Sequence, residues 1–222
     1  MDSLALALTA RVEAMSALQI YFIRHGETEW SRTGRHTSHT DIPLTPNGEA
    51  MARQLAITLH SMHFDLVLSS PRVRARATCE LAGFTQAHVE PNLAEWNYGD
   101  FEGLRSAEIS QMQPQWNLWQ HGAPGGETPA EVGARADQLI TRLLQCTGKV
   151  ALFSHGHFGR VFAARWIGQP VSVGQHFALD PASISVLGFE PHHPDRRVIC
   201  RWNNSVSSDL GFTAATKVSV KS

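Results

Sequence analysis

Tyr21-Phe22-Ile23-Arg24-His25-Gly26-Glu27-Thr28-Glu29-Trp30 decides how the chain is read, because an apolar run stops abruptly there in an Arg-His-Gly turn. Gln19 to Ile23 carries Ile, Tyr, Phe and Ile, which favours a buried strand over a helix too short to bury a face. Arg24 and His25 then fall at its C-terminal end, the edge of an open α/β sheet where the ligand crevice lies. Alone, such a pair is a surface arginine and a satisfied histidine. Two further stretches of the same kind change that reading.

The 222 residues fit one domain with an ample core, read as 19–206 between an N-terminal extension at 1–18 and a C-terminal tail at 207–222. With 19 basic against 20 acidic residues there is no broad basic field, so neither nucleic acid nor an anionic membrane is an expected partner and any anion site must be local. Cys79, Cys146 and Cys200 are far apart and lack metal-ligand spacing, which fits a reducing cytoplasm. No apolar run approaches the length of a membrane span. The apolar Leu4 to Leu8 is short, follows Asp2 and lacks a cleavage site, so it is not read as a signal peptide. Met15, just before the first strand, is an alternative start. The sequence sets no oligomeric state.

Beyond His25, the polar segment Ser31 to Asp41 reads as a loop able to reach back over the strand end. Thr45-Pro46 opens a helix with Met51, Leu55, Leu59 and Met62 on one face. Leu66 to Ser69 is a second short buried strand, and Ser70-Pro71 is read as the cap and first-turn proline of a helix from about Arg72 to Leu81. That places Arg74 in a first turn, where the helix end already favours an anion. Val89 marks an edge strand. Glu95 lies between Leu93 and Trp96, a setting expected to desolvate it and raise its pKa towards that of a useful acid.

Ser106 to Trp119 reads as two helical pieces broken at Pro114, with Trp116 and Trp119 as packing residues rather than a cofactor box, on a face able to line a pocket. Thr128-Pro129-Ala130-Glu131 is a capping box for a helix with Val132, Ala136, Leu139, Leu143 and Leu144 on its apolar face, ending at Gly148. Lys149 to Phe153 is a third buried strand, with Ser154-His155-Gly156-His157 at its exit before a helix through Ile167. Ser183 to Phe189 and Val198 to Trp202 close the sheet.

This alternation predicts a three-layer α/β/α fold with a mainly parallel central sheet. In such a sheet Arg24, His25, Arg74 and His155 converge on one edge from three strand exits. Two guanidinium forks suit phosphate oxygens, and two imidazoles supply a nucleophile and a donor. A phosphoryl site is the expectation.

Arg24-His25-Gly26-Glu27-Thr28, Ser69-Ser70-Pro71 with Arg74-Ala75, Glu95, and Ser154-His155-Gly156 together resemble the histidine phosphatase superfamily, also called phosphoglycerate mutase-like, from about Tyr21 to Trp166. The resemblance implies that His25 accepts the phosphoryl group, that Arg24, Arg74 and His155 hold its oxygens, and that Glu95 protonates the leaving oxygen. Ser31 stands where many members have an asparagine beside the phosphate. Trp30-Ser31, Thr40-Asp41, the segment Pro71 to Arg76, Glu95 to Asp100, Trp116 to Trp119 and His155-Gly156-His157 resemble most the sedoheptulose bisphosphatase-like branch.

The implied activity is a phosphomonoesterase with a phosphohistidine intermediate and neither metal nor cofactor, acting on a small phosphorylated metabolite, a sugar phosphate or bisphosphate. Arg72 and Arg160 are the candidates for a second anionic group. A cofactor-dependent phosphoglycerate mutase is the alternative, disfavoured because the longer insertion between the motifs of Glu95 and His155 is not recognised here. A non-catalytic phosphate-binding module would need the arginines but not His25 and Glu95. A metal hydrolase built on His25, His155, His157 and Glu95 would set arginines beside a divalent cation.

Overall fold

The computed structural model describes residues 18–191 and 193–205. The expected N-terminal extension, with Leu4 to Leu8 and Met15, and the C-terminal tail lie outside the described residues. One six-stranded sheet has the order β3-β2-β4-β1-β5-β6, from β1 (Gln19–Arg24), β2 (Leu66–Ser69), β3 (His88–Val89), β4 (Lys149–Ser154), β5 (Ser183–Glu190) and β6 (His193–Ser205). The first four strands are mutually parallel, whereas β5 runs antiparallel to β1 and β6 antiparallel to β5.

The helices are α1 (Glu29–Thr33), α2 (Pro46–Leu59), α3 (Val73–Leu81), α4 (Ser106–Met112), α5 (Leu118–His121), α6 (Pro129–Leu143) and α7 (Gly156–Trp166). Central strands bury both faces, which is why they read as continuous apolar runs. Ile20 and Phe22 of β1, with Val150 and Leu152 of β4, pack against α6 and α7 through Val132, Ala136, Phe158 and Phe162. Tyr21, Ile23, Ala151 and Phe153 face the other way, onto Leu55 and Leu59 of α2 and Cys79 of α3. These two cores on opposite faces of one sheet give the three layers that the alternation predicts. Among the described residues no helix is long and apolar enough to cross a membrane.

Four local expectations are corrected. The segment read as a loop from Ser31 begins inside α1, whose cap is a reciprocal pair: Thr28 Oγ1 accepts from the Ser31 amide and Ser31 Oγ from the Thr28 amide. The cap of α3 is Arg72 without a side-chain cap bond, and Asp41 Oδ1 from the preceding loop accepts the Val73 amide instead. Ser70 is therefore released from capping that helix. Helix α6 ends at Leu143, and Gly148, at φ 73°, makes the turn into β4. Strand β6 runs well beyond Val198 to Trp202, because an edge strand needs no apolar alternation on its exposed side.

The exit of β1 is pressed against the start of α2. A Cβ on Gly48 would lie 2.0 Å from the Glu27 carbonyl oxygen, and one on Gly26 would lie 2.4 Å from the Gly48 oxygen. Gly48→Ala must displace backbone rather than a flexible side chain. It is expected to destabilise the fold by about 1–3 kcal/mol, as overpacking does, read as a lowered urea midpoint at unchanged m-value.

Candidate active site

Strand register assembles the site. Arg24 pairs with Ser154 across β1 and β4, and Ser69 with Phe153 across β2 and β4. The ladder continues one step past the strands: the His25 amide donates to the Ser154 carbonyl and the Ser70 amide to the Phe153 carbonyl, both at 2.9 Å. His25, Ser70 and His155 therefore leave three adjacent parallel strands side by side, and the rings of His25 and His155 lie 5.2 Å apart.

Each imidazole is fixed by one hydrogen bond. The His25 Nδ1–H donates to the Gly26 carbonyl at 2.7 Å, leaving Nε2 with its lone pair. Ser70 Oγ accepts the Arg72 amide and lies 2.7 Å from His155 Nε2. No other acceptor for the Ser70 hydroxyl proton is present among the described residues, so it donates to His155 Nε2, which assigns the ring hydrogen of neutral His155 to Nδ1. That Nδ1 is buried and has no partner among the described residues. Burial, reinforced by the charges of Arg74 and Arg24, holds both histidines well below the ordinary imidazole pKa, so they are neutral near pH 7.

The arginines are held by carbonyls rather than carboxylates. Arg24 Nη1 donates to Leu179 O at 2.5 Å, and Arg74 reaches the carbonyls of Thr37, Ser38 and Thr40. Arg74 thereby straps down the loop over the site, while Glu102 grips the same loop through the Ser38 and Thr40 amides and the Ser38 hydroxyl. The Nε–H groups of Arg24, Arg72 and Arg74 are buried without partners among the described residues. Buried donors are seldom left unpaired, and these three, with His155 Nδ1, form a donor set suited to an anion.

Glu95 is buried, but its setting differs from the apolar one expected between Leu93 and Trp96. Oε1 accepts the Trp96 and Phe158 amides at 2.9 and 2.6 Å, and Oε2 the His157 amide at 3.0 Å, so the carboxylate caps the first turn of α7. Arg135 of α6 fixes the Glu95 segment by donating to the carbonyls of Asn92, Ala94 and Glu95 while pairing with Glu127.

A cavity of about 400 Å³ opens beside these groups and is lined in part by Arg24, His25, Ser31, Glu95, His157 and Arg160. Ser31 is thus at the wall, with its hydroxyl donating to the Thr28 carbonyl. Arg160 stacks over Trp119 at 4.6 Å and donates to the Gly174 and Gln175 carbonyls. Arg72 is not part of that lining, and its Nη1 donates to the His39 carbonyl.

Sequence reading gave no role to His36, Tyr98 or Arg135, considered His157 only as a metal ligand, and took Ser70 for a helix cap. The Ser70 position, first residue past a strand like His155, carried a usable signal. His36 and Tyr98 carried none, since only the folded loops bring them to the cavity.

A family model for the histidine phosphatase superfamily (branch 1) matches residues 20–205. An acid phosphatase of Mycobacterium tuberculosis is 41% identical over 176 residues, covering 78% of this chain and 87% of that protein. Sedoheptulose 1,7-bisphosphatase of Saccharomyces cerevisiae is 34% identical over 179 residues, 66% of each chain. The solved structure of an open reading frame product of Mycobacterium tuberculosis superposes with a TM-score of 0.81 at 38% identity, covering 85% of this chain and 98% of that one. The chain belongs to the histidine phosphatase superfamily, and its sheet is that of the phosphoglycerate mutase-like fold.

Because His25 and His155 are neutral in the fold and protonate near pH 6.5 when unfolded, the unfolded chain binds more protons below that pH. Their contribution to stability is fully present above about pH 6.5 and is lost as pH falls below it. Urea midpoints measured from pH 8 to pH 5 in phosphate-free buffer are expected to decline below pH 6.5, and less steeply in His25→Asn.

Proposed function

We propose that the chain is a phosphomonoesterase that passes the phosphoryl group of a small sugar phosphate through His25, without a metal or cofactor. The observation that carries this reading is the His25 Nδ1–H bond to Gly26, which leaves the Nε2 lone pair free beside the unpartnered donors of Arg24, Arg74 and His155. In the first step Nε2 attacks phosphorus in line, the bond from phosphorus to the ester oxygen breaks, and Glu95 gives that oxygen a proton. In the second, water attacks the phosphohistidine, Glu95 takes the proton and the N–P bond breaks. The guanidiniums and His155 Nδ1–H offset charge on the equatorial oxygens of a loose transition state.

Glu95 Oε2 carries one amide bond against two on Oε1, which favours Oε2 as the oxygen that holds the transferable proton. The phosphatase names of the two relatives support hydrolysis over mutase chemistry. Three cysteines free of disulfides support a reducing compartment such as the cytoplasm.

His25→Ala is expected to abolish phosphate release and acid-labile labelling, with wild-type activity unaffected by chelator. Full turnover in that variant, or label on another residue, rejects the mechanism. Arg24→Ala is expected to lower kcat about a hundred- to a thousand-fold, as loss of an oxyanion-hole donor does. Glu95→Gln is expected to slow an alkyl phosphate far more than an activated aryl phosphate, since only the former depends on protonation of the departing oxygen. Equal losses on both count against an acid role.

Arg160, and Arg72 from outside the cavity lining, are the proposed holders of a second anionic group on the substrate, a reading supported by the bisphosphatase name of the yeast relative. Replacing either with Ala is expected to weaken use of a sugar bisphosphate by about 1.5–3 kcal/mol relative to a neutral-tailed monophosphate. Unchanged relative kcat/KM in both variants removes the second anion site.

A further inference from the structure

Beyond the transferred phosphoryl group, the cavity wall holds two histidines whose hydrogen-bonding roles are opposite. The ring of His157 lies parallel to that of His36, with centroids 6.0 Å apart and an interplanar angle of 7°. Tyr98 stands edge-on to both. All three side chains line the cavity.

The partners set the tautomers. Tyr98 Oη lies 2.7 Å from His157 Nδ1, and no other hydrogen-bond partner of that hydroxyl is present among the described residues. Burial, with Glu95 nearby, holds the Tyr98 phenol well above its ordinary pKa, so it keeps its proton. Burial, with the Arg160 charge, holds His157 well below the ordinary imidazole pKa. A protonated phenol beside a neutral imidazole donates to Nδ1, which leaves the ring hydrogen of His157 on Nε2. His36 is the reverse: its Nδ1–H donates to the Leu104 carbonyl at 2.9 Å, so in the neutral ring Nε2 is an acceptor. Neither Nε2 has a protein partner among the described residues. The backbone amide of His157 is itself bound to Glu95 Oε2, which puts this pair beside the carboxylate expected to protonate the leaving oxygen.

We propose that His157 Nε2–H and His36 Nε2 form a donor–acceptor pair that binds two hydroxyls of the leaving alcohol and selects polyol phosphates over alkyl phosphates. This rests on the phosphomonoesterase reading of the same cavity. A hydroxyl that accepts from His157 and one that donates to His36 are both satisfied by one short polyol chain. An alkyl chain would leave two desolvated imidazole nitrogens unpaired, the situation in which a polar site discriminates most strongly. Tyr98 is a positioning residue, acting through the His157 tautomer.

The test compares kcat/KM for erythritol 4-phosphate and n-butyl phosphate, matched in chain length, in wild type, His157→Phe, His36→Phe and Tyr98→Phe. The polyol-to-alkyl ratio is expected to fall about three- to tenfold in each variant, the value of one neutral hydrogen bond. Tyr98→Phe keeps the ring packing and frees the His157 tautomer, so a purely structural role of Tyr98 leaves the ratio unmoved. An unmoved ratio in all three variants, with both substrates turned over, overturns the proposal and spares the phosphatase reading. A wild type that hydrolyses neither of the two esters overturns both. Independently of any variant, imidazole 15N shifts of the wild-type protein are expected to report Nε2–H for His157, and an Nδ1–H tautomer overturns the assignment.

Discussion

The pairing of β1 and β2 on either side of β4 is the constraint on which the site depends. Both pairings are parallel, so three strands present their C-terminal ends to the same edge, and the register sets Arg24 opposite Ser154. A slip of one residue in either ladder would turn the alternating side chains to the other face and separate His25 from His155. The two apolar cores hold the register: Phe22 and Leu152 must face α6 and α7 while Ile23 and Phe153 face α2 and α3. The chemistry at the strand ends is therefore positioned by burial several residues away.

At that edge the fold gathers positive charge without an ion-pair partner among the described residues. Among the described residues the side chains of Arg24 and Arg74 donate to carbonyls, and burial lowers the pKa of both guanidiniums even though Glu95 opposes it. Leaving donors unpaired and cations desolvated is unfavourable in the free protein. A bound phosphoryl group would satisfy both, so the cost in the free enzyme becomes a preference for the anion. Burial, reinforced by the same positive charges, holds the His25 pKa well below its ordinary value, so the unpaired donors and a neutral imidazole arise from one arrangement.

Glu95 links this edge to the cavity. Its carboxylate ends the helix that follows His155, and Arg135 ties its backbone to α6, so the acid sits on a support built from two helices. His157, one residue into the same helix turn, lines the cavity. A single helix start thus orients His155, Glu95 and part of the cavity wall.

How much could be read in advance follows from the range of the forces involved. Apolar runs of four to six residues ending in Arg-His, Ser-Ser-Pro and Ser-His-Gly were enough to place the strands and to put Arg24, His25 and His155 at their exits, because burial of a central strand is written in consecutive residues. The proline-bearing caps marked the starts of α2 and α6 for an equally local reason. Contacts between segments far apart in the chain were not legible. That Asp41 rather than Ser70 serves the start of α3, that amides surround Glu95 where apolar neighbours were expected, and that His36 lies parallel to His157 are facts of tertiary packing. The sequence by itself determined which chemical groups leave the sheet and at which strands. Tertiary structure alone decided which nitrogen of each imidazole is free, since that depends on partners such as Tyr98 and Leu104, dozens of residues away from the rings they orient.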